Sequence, residues 1–260
     1  MFARTFIFVY GIASYVVFLV SFLYAIGFVG NLWVQKSIDS GSAGSLVEAL
    51  AIDALLLGIF AIQHSVMARP AFKRWWTRII PAESERSTFV LVASLLLLLL
   101  YWQWRPMPEP VWTVQNPIAA AALTATSLFG WVLLVLSTFM LSHFELFGLS
   151  QVFARLFRKD LPAAKFHTPL LYRVVRHPIY LSFLLAFWAT ASMTVGHLLF
   201  ALATTGYILI AIQLEERDLV DLFGDQYRRY RQNVGMLFPL PGRKSDRTDP
   251  EVSPGRRGGL

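Results

Sequence analysis

Six apolar stretches, at residues 6–30, 46–68, 87–104, 118–141, 179–195 and 197–214, constrain this chain more than any other feature. A helix rises about 1.5 Å per residue, so about 20 apolar residues cross the hydrocarbon core of a bilayer. The expected fold class is all-α: a polytopic transmembrane helix bundle of about six spans, the last two a tight hairpin, with cytoplasmic interfacial helices. Composition agrees. The 260 residues are 56% hydrophobic and only 15% charged, where soluble domains carry about a quarter charged residues. The first stretch lacks a small-residue cleavage site leading into a soluble domain, so it is expected to remain as a span. Cysteine is absent, which removes disulfides, thiolate metal sites and a Cys nucleophile, and leaves the redox compartment open.

In a soluble protein a net charge of +7 would suggest a nucleic-acid partner. Its distribution points to a membrane instead. With the N-terminus in the cytoplasm, 21 of the 23 Lys and Arg residues fall inside, leaving only Lys36 and Arg105 outside. The charge therefore reads as an orientation signal and an attraction for membrane lipid, with no nucleic acid as partner. The expected location is the bacterial cytoplasmic (inner) membrane, with both termini cytoplasmic.

Loops 31–45 and 105–117 are short, and the second carries Pro106, Pro108, Pro110 and Pro117. The segment "QVFARLFRKD" alternates apolar and basic faces at helical spacing, as an interfacial helix does. After Leu214, "EERDLVDLFGDQYRRYRQNV" predicts a charged amphipathic helix with Leu219, Leu222 and Phe223 on one side. One membrane-embedded domain is expected over 1–240, its C-terminal half at about 142–240, with a disordered tail at 241–260. Nothing in the sequence fixes the oligomeric state.

The fifth and sixth stretches are separated only by Gly196, so they are expected to run antiparallel, with Pro178 at the first position of a helix. Equal counts then bring Arg176 and His177 level with Glu215 and Glu216 at one membrane face. Cations beside a helix N-terminus favour an anion. The carboxylates favour a cation, and Tyr172, Tyr180, Tyr227 and Tyr230 offer faces for a ring or an onium centre. S-Adenosylmethionine carries all of these groups, although other ligands share the mixture.

The run "KFHTPLLYRVVRHPIY", an apolar hairpin, and then "LEERDLVDLFGDQYRRY" resemble the isoprenylcysteine carboxyl methyltransferase-like family of integral membrane methyltransferases. Its signature positions here are His167, Leu170, Tyr172, Arg176, His177, Pro178, Tyr180, Glu215, Glu216, Leu219, Phe223, Gly224, Tyr227 and Tyr230. One departure is Ser182, where many members have Gly. The N-terminal half, with "QHSVMARP" and "ERS", is similar to the methanethiol S-methyltransferase branch, which borders on the NnrU-type membrane proteins. The resemblance implies S-adenosyl-L-methionine as cofactor and S-methylation of a small volatile thiol, methanethiol, to dimethyl sulfide. It implies cofactor binding by His167, Leu170, Tyr172, His177, Pro178, Tyr180, Glu215 and Glu216, with Glu215 on the cofactor ammonium.

Asp53 lies inside the second span, where an unpaired carboxylate is costly, and it shares a helix face with Leu57, Phe60 and His64. It is either a catalytic member or a helix–helix hydrogen bond. His64 is the expected base and Arg176 the expected stabiliser of negative charge. Arg86 either serves the site or anchors its helix, with anchoring the favoured reading; His143 reads as interfacial, His197 as remote from chemistry, and Trp75, Trp76, Trp102 and Trp104 as aromatic belts. No metal is expected, since the five histidines show no ligand spacing. Two other readings remain: carboxyl methylation of a prenylated cysteine or other amphiphile, and a non-catalytic haem or quinone protein using His64 and His143.

Overall fold

The computed structural model describes residues 2–161 and 165–240; the tail expected at 241–260 lies outside the described residues. Along the chain come α1 (Phe2–Gly30), α2 (Leu46–Ala68), α3 (Pro70–Trp76), a 3-10 turn (Ala82–Ser84), α4 (Glu85–Gln103), β1 (Pro110–Thr113) and α5 (Pro117–Leu141). There follow α6 (His143–Leu146), α7 (Leu149–Phe157), a second 3-10 turn (Leu170–Arg173), α8 (Pro178–Trp188), β2 (Ser192–Thr194), α9 (Val195–Phe223) and α10 (Asp225–Asn233). Among the described residues, five helices (α1, α2, α4 with its 3-10 turn, α5 and α9) are long and apolar enough to cross a membrane. The all-α polytopic bundle is borne out.

Local chemistry sets several boundaries. Arg69 precedes Pro70 and adopts an extended conformation (φ −72°, ψ 140°), which ends α2 and turns the chain into α3. Asn116 caps α5 by accepting from the backbone N–H groups of Ile118 and Ala119, with Pro117 at the first helical position. Gly224, at φ 58°, separates α9 from α10, a conformation that favours glycine. The helix expected after Leu214 is therefore the end of α9 followed by a distinct α10, and Leu222 is exposed rather than packed.

The core is a cluster from α1, α2, α4, α5, α8 and α9 that includes Phe28, Leu57, Leu100, Trp104, Trp131, Phe187 and Phe200. Trp104 is fully buried and donates from Nε1 to the Ile38 carbonyl at 3.1 Å, so it belongs to this core and not to an aromatic belt. α5 and α8 approach closely at Gly130, where a Cβ would lie 2.7 Å from the Ala186 nitrogen and 2.9 Å from the Ser182 oxygen. Ser182, the departure from the signature, is buried at this seam and its hydroxyl bonds the Pro178 carbonyl at 2.7 Å. α7 forms as expected and seats Leu149 and Val152 against Ile7 of α1.

The expected hairpin needs correction. α8 has 11 residues, too few to span, and the chain then leaves the helix so that β2 can pair antiparallel with β1. α9 resumes at Val195 and runs for 29 residues. The ends remain level because extended residues rise about 3.3 Å each against about 1.5 Å in a helix, so residues 189–194 offset the shortness of α8. The bundle thus has a ribbon end, at β1 and β2, and a charged end, at the start of α8.

Candidate active site

At the charged end three chain segments meet on one carboxylate. Val175 bridges Gly235 in parallel; the backbone N–H of Arg176 donates to the Gly235 carbonyl (2.8 Å) and that of His177 to the Met236 carbonyl (3.1 Å). This lays the segment before α8 beside the segment after α10. Arg176 Nε donates to Glu216 Oε1 at 2.8 Å, and His177 Nε2 lies 3.0 Å from the same oxygen. Arg231 Nη1 stands 3.7 Å from Glu216 Oε2. Arg176 Nη1 also donates to the carbonyls of Arg231 (3.0 Å) and Val234. Glu216 and His177 are each 5% exposed, so water does not screen the pairing. A buried carboxylate is tolerated where cations and hydrogen bonds replace its hydration, and here they do.

Glu215 is turned by about 100° from Glu216 on the helix and faces a different environment. It accepts the Tyr180 hydroxyl at 2.8 Å. It lies within electrostatic reach of Arg86, Tyr172 and Tyr207. Glu216 is consumed by the clamp, while Glu215 holds one hydroxyl among the described residues.

Aromatic rings wall the same mouth. Tyr230 donates to the Tyr172 carbonyl at 2.5 Å, and Tyr172 donates to the Ser137 carbonyl at 3.4 Å. Tyr227 lies 5.7 Å from Tyr230, with Phe166 at 5.4 Å from Tyr230 and 6.0 Å from Tyr227. The Tyr227 hydroxyl is buried, with no hydrogen-bond partner among the described residues. Burial pushes the phenols of Tyr172, Tyr227 and Tyr230 far above their usual range, reinforced at Tyr172 by the Glu215 charge. They are neutral donors at physiological pH.

A second group of side chains sits where α2, α4 and α9 converge. The His64 ring is 4.7 Å from Phe89, 5.3 Å from Phe60 and 6.3 Å from Tyr207, and its Nδ1 is buried with no hydrogen-bond partner among the described residues. Ser65 Oγ lies 3.5 Å from the Tyr207 hydroxyl. Arg69 Nη1 bonds Asp218 Oδ2 at 2.8 Å, tying the end of α2 to α9. Arg86 places Cζ 4.9 Å from the centroid of the Phe89 ring and donates from Nε to the Leu146 carbonyl at 2.6 Å. His64 and Arg86 therefore pack on one aromatic ring.

Of the expected site residues, the structure brings together Tyr172, Arg176, His177, Pro178, Tyr180, Glu215 and Glu216 at the charged end, with His64 on α2 nearby through Tyr207. Asp53 does not join them. It is fully buried, and its Oδ1 accepts the Arg105 backbone N–H at 2.9 Å, just past the end of α4 at the ribbon end. Eleven residues of helix, about 16 Å, separate it from His64 although the two share a face. His167 is exposed, with Nδ1 3.1 Å from the Lys165 carbonyl, and Leu170 is 70% exposed at φ 40°. His143, just past the end of α5, is buried within the protein: Nε2 pairs with the Tyr15 hydroxyl (2.7 Å) and Nδ1 with Thr138 Oγ1 (2.8 Å). His197 is buried at the ribbon end, where Nε2 meets the Phe187 carbonyl at 2.8 Å.

Sequence reasoning weighed Arg86 but favoured a helix anchor over a place in the site, and it passed over Tyr207. For Arg86 a signal existed: a cation in the first turn of a helix opposes the macrodipole, so simple anchoring explains it poorly. Tyr207 is one hydroxyl in an apolar helix and carries no spacing that distinguishes it.

These features define an α-helical integral membrane protein whose ionisable groups converge at one end of the bundle. The chain belongs to the NnrU family: the family model described as NnrU protein matches residues 54–220. It is similar to Methanethiol S-methyltransferase 2 of Bradyrhizobium diazoefficiens, at 56% identity covering 98% of this chain and 97% of that protein. It is also similar to the Methanethiol S-methyltransferase of Mycobacterium tuberculosis, at 56% identity over 90% of this chain and 96% of that protein. A more distant likeness is to Nurim of Rattus norvegicus, at 30% identity over 67% of this chain and 70% of that protein. No solved structure matches. The family resemblance read from the "QHSVMARP" and "ERS" segments is borne out.

Proposed function

We propose that the chain is a methyltransferase that methylates methanethiol on sulfur with S-adenosylmethionine as donor, giving dimethyl sulfide. The observation that carries this reading is 56% identity, over 98% of the chain, to a protein named for that reaction. The donor set at the charged end fits the cofactor: a carboxylate held by a single hydroxyl suits an ammonium group, and the neutral phenols suit a ring or an onium centre. Glu215 would hold the ammonium, oriented by Tyr180. Arg176, His177 and Glu216 hold the mouth in shape, Pro178 starts the helix that carries Tyr180, and Tyr172 lines the wall. His167 and Leu170, exposed here, would have to turn inward to reach a ligand. When bound, S-adenosylmethionine supplies an electrophilic methyl group on sulfur.

An alkyl thiol is largely protonated at neutral pH, so a proton acceptor assists it (even Cys has a reference pKa of about 8.5). His64 offers its unpartnered Nδ1 among aromatic rings that exclude water. Asp53, held by Arg105 at the far end, takes no part. Such an apolar subsite suits a volatile, lipid-soluble thiol and its product. The concentration of Lys and Arg at this end favours an inner-membrane protein with this mouth and both termini toward the cytoplasm.

The haem reading loses its ground at His143, where two hydroxyls occupy both ring nitrogens. Carboxyl methylation is separated by experiment. Purified chain is offered radiolabelled cofactor with either methanethiol or a prenylcysteine analogue, and volatile sulfide is read by gas chromatography. Dimethyl sulfide is the expected product; a base-labile ester on the analogue, with no sulfide, would overturn the proposal.

A further inference from the structure

We infer that Arg86 binds the acceptor as its thiolate, forming with Phe60, His64, Phe89 and Tyr207 a subsite for a short-chain alkyl sulfur anion. The inference rests on the methyltransferase reading above.

The guanidinium groups near the mouth differ in what they already hold. Arg176 is spent on Glu216 and two backbone carbonyls, Arg69 is paired with Asp218, and Arg231 approaches Glu216. Arg86 makes one hydrogen bond, from Nε to the Leu146 carbonyl, and no salt bridge within 4.0 Å among the described residues. Both terminal nitrogens are left for a ligand. Arg86 is half-buried, and a partly desolvated cation with unspent donors favours an anionic ligand. Its position in the first turn of α4 adds to that, because the positive end of the helix dipole repels it. Glu85, Glu145 and Glu215 lie within electrostatic reach and moderate its charge, but none forms a contact pair with it.

The neighbours define what the anion is. Arg86 and His64 both lie on Phe89, with Phe60 and Tyr207 beside His64, so the free donors and the unpartnered imidazole nitrogen are bordered by rings. Such walls accept a methyl or ethyl group and offer a polar chain little beyond the Tyr207 hydroxyl. The thiol S–H bond breaks, the proton goes to His64 Nδ1, and the electron pair stays on sulfur against the Arg86 guanidinium. Arg176, the stabiliser expected from the sequence, is replaced in that role.

The test uses purified full-length chain and the variants Arg86→Gln and Arg86→Lys, with ethanethiol and the more acidic 2,2,2-trifluoroethanethiol as acceptors. R86Q is expected to lose about 100-fold in kcat/KM for ethanethiol. Its loss for the acidic thiol should be about tenfold or less, because that thiol needs less help to ionise. In cofactor-free chain, calorimetry should show ethanethiol binding weakened by about tenfold, while cofactor affinity stays within about twofold of wild type. Equal losses for both thiols, or a parallel collapse of cofactor affinity, would overturn the inference and return Arg86 to anchoring or cofactor duty. If R86Q does not fold, R86K carries the same comparison, and an unchanged ratio between the two thiols overturns it. A wild-type chain that methylates no thiol overturns the broader reading first, and that control separates the two failures.

Discussion

Arg176 Nε and Glu216 Oε1 lie 2.8 Å apart across 40 residues of chain. The contact closes the loop formed by α8, the ribbon and α9, and through Arg176 and His177 it also fastens the segment from Arg231 to Met236. Glu216→Ala leaves two buried basic side chains facing each other with no carboxylate between them. A loss of about 3–5 kcal/mol is expected from breaking such a pair, measured by denaturant unfolding in detergent. Combined with Arg176→Ala in a double-mutant cycle, the two losses should fall well short of additive. Additive losses would show that the contact is incidental.

Glu215 should behave differently from its neighbour. Among the described residues its carboxylate holds only the Tyr180 hydroxyl, so Glu215→Gln removes little that supports the fold. Cofactor affinity should fall by about 2 kcal/mol, roughly 30-fold, with the unfolding midpoint close to wild type. Tyr180→Phe, which only frees Glu215 from its orienting bond, should cost about 1 kcal/mol in the same titration. A Glu215→Gln variant that binds the cofactor as wild type does would move the ammonium site elsewhere.

Asp53 tests the opposite case, a buried acid for which a structural role is proposed. Asp53→Asn keeps an acceptor for the Arg105 backbone N–H and should retain wild-type turnover of methanethiol. Asp53→Ala loses the acceptor and should destabilise the chain by about 1–3 kcal/mol, again with turnover per folded molecule unchanged. A large fall in turnover for Asp53→Asn at full stability would reinstate it as catalytic.

The contrast between Asp53 and His64 shows what the sequence could and could not reveal. Helical periodicity placed them on one face correctly, because the 3.6-residue repeat is a local property. It could not say that the face reaches from one end of the bundle to the other, with the charged cluster at only one of them. Span α2 was legible to the residue, at Leu46–Ala68, since Pro70 stops it. The stretch around Ser192–Thr194 was not legible: it is apolar enough to pass for a span, and it leaves the helix to pair with Pro110–Thr113, about 80 residues earlier. Trp104 was misread for a related reason, because a belt tryptophan and a core tryptophan look alike until Ile38 is seen to accept its N–H. The Arg176–Glu216 clamp survived the error in the hairpin because the chain's end-to-end reach was preserved.

His143 supplies a pH dependence whose sign follows from its surroundings. Both ring nitrogens are engaged, by Tyr15 and Thr138, and Phe139 stacks on the ring at 4.2 Å. Burial holds the imidazole below its ordinary value of 6.5 in the folded chain. The unfolded chain therefore takes up the proton first as pH falls. Between 6.5 and the lower folded value, the unfolded state binds more protons, so stability rises with pH across that window. The contribution is complete above 6.5 and drains away below it. Thermal unfolding of wild-type chain in detergent between pH 8 and pH 5 should show the midpoint dropping on the acid side. His143→Gln, which keeps a polar side chain but cannot titrate, should start lower at pH 8 and follow a flatter curve. If both curves fall in parallel, the acid sensitivity belongs to another group, and the buried Tyr15–His143–Thr138 bridge serves packing alone.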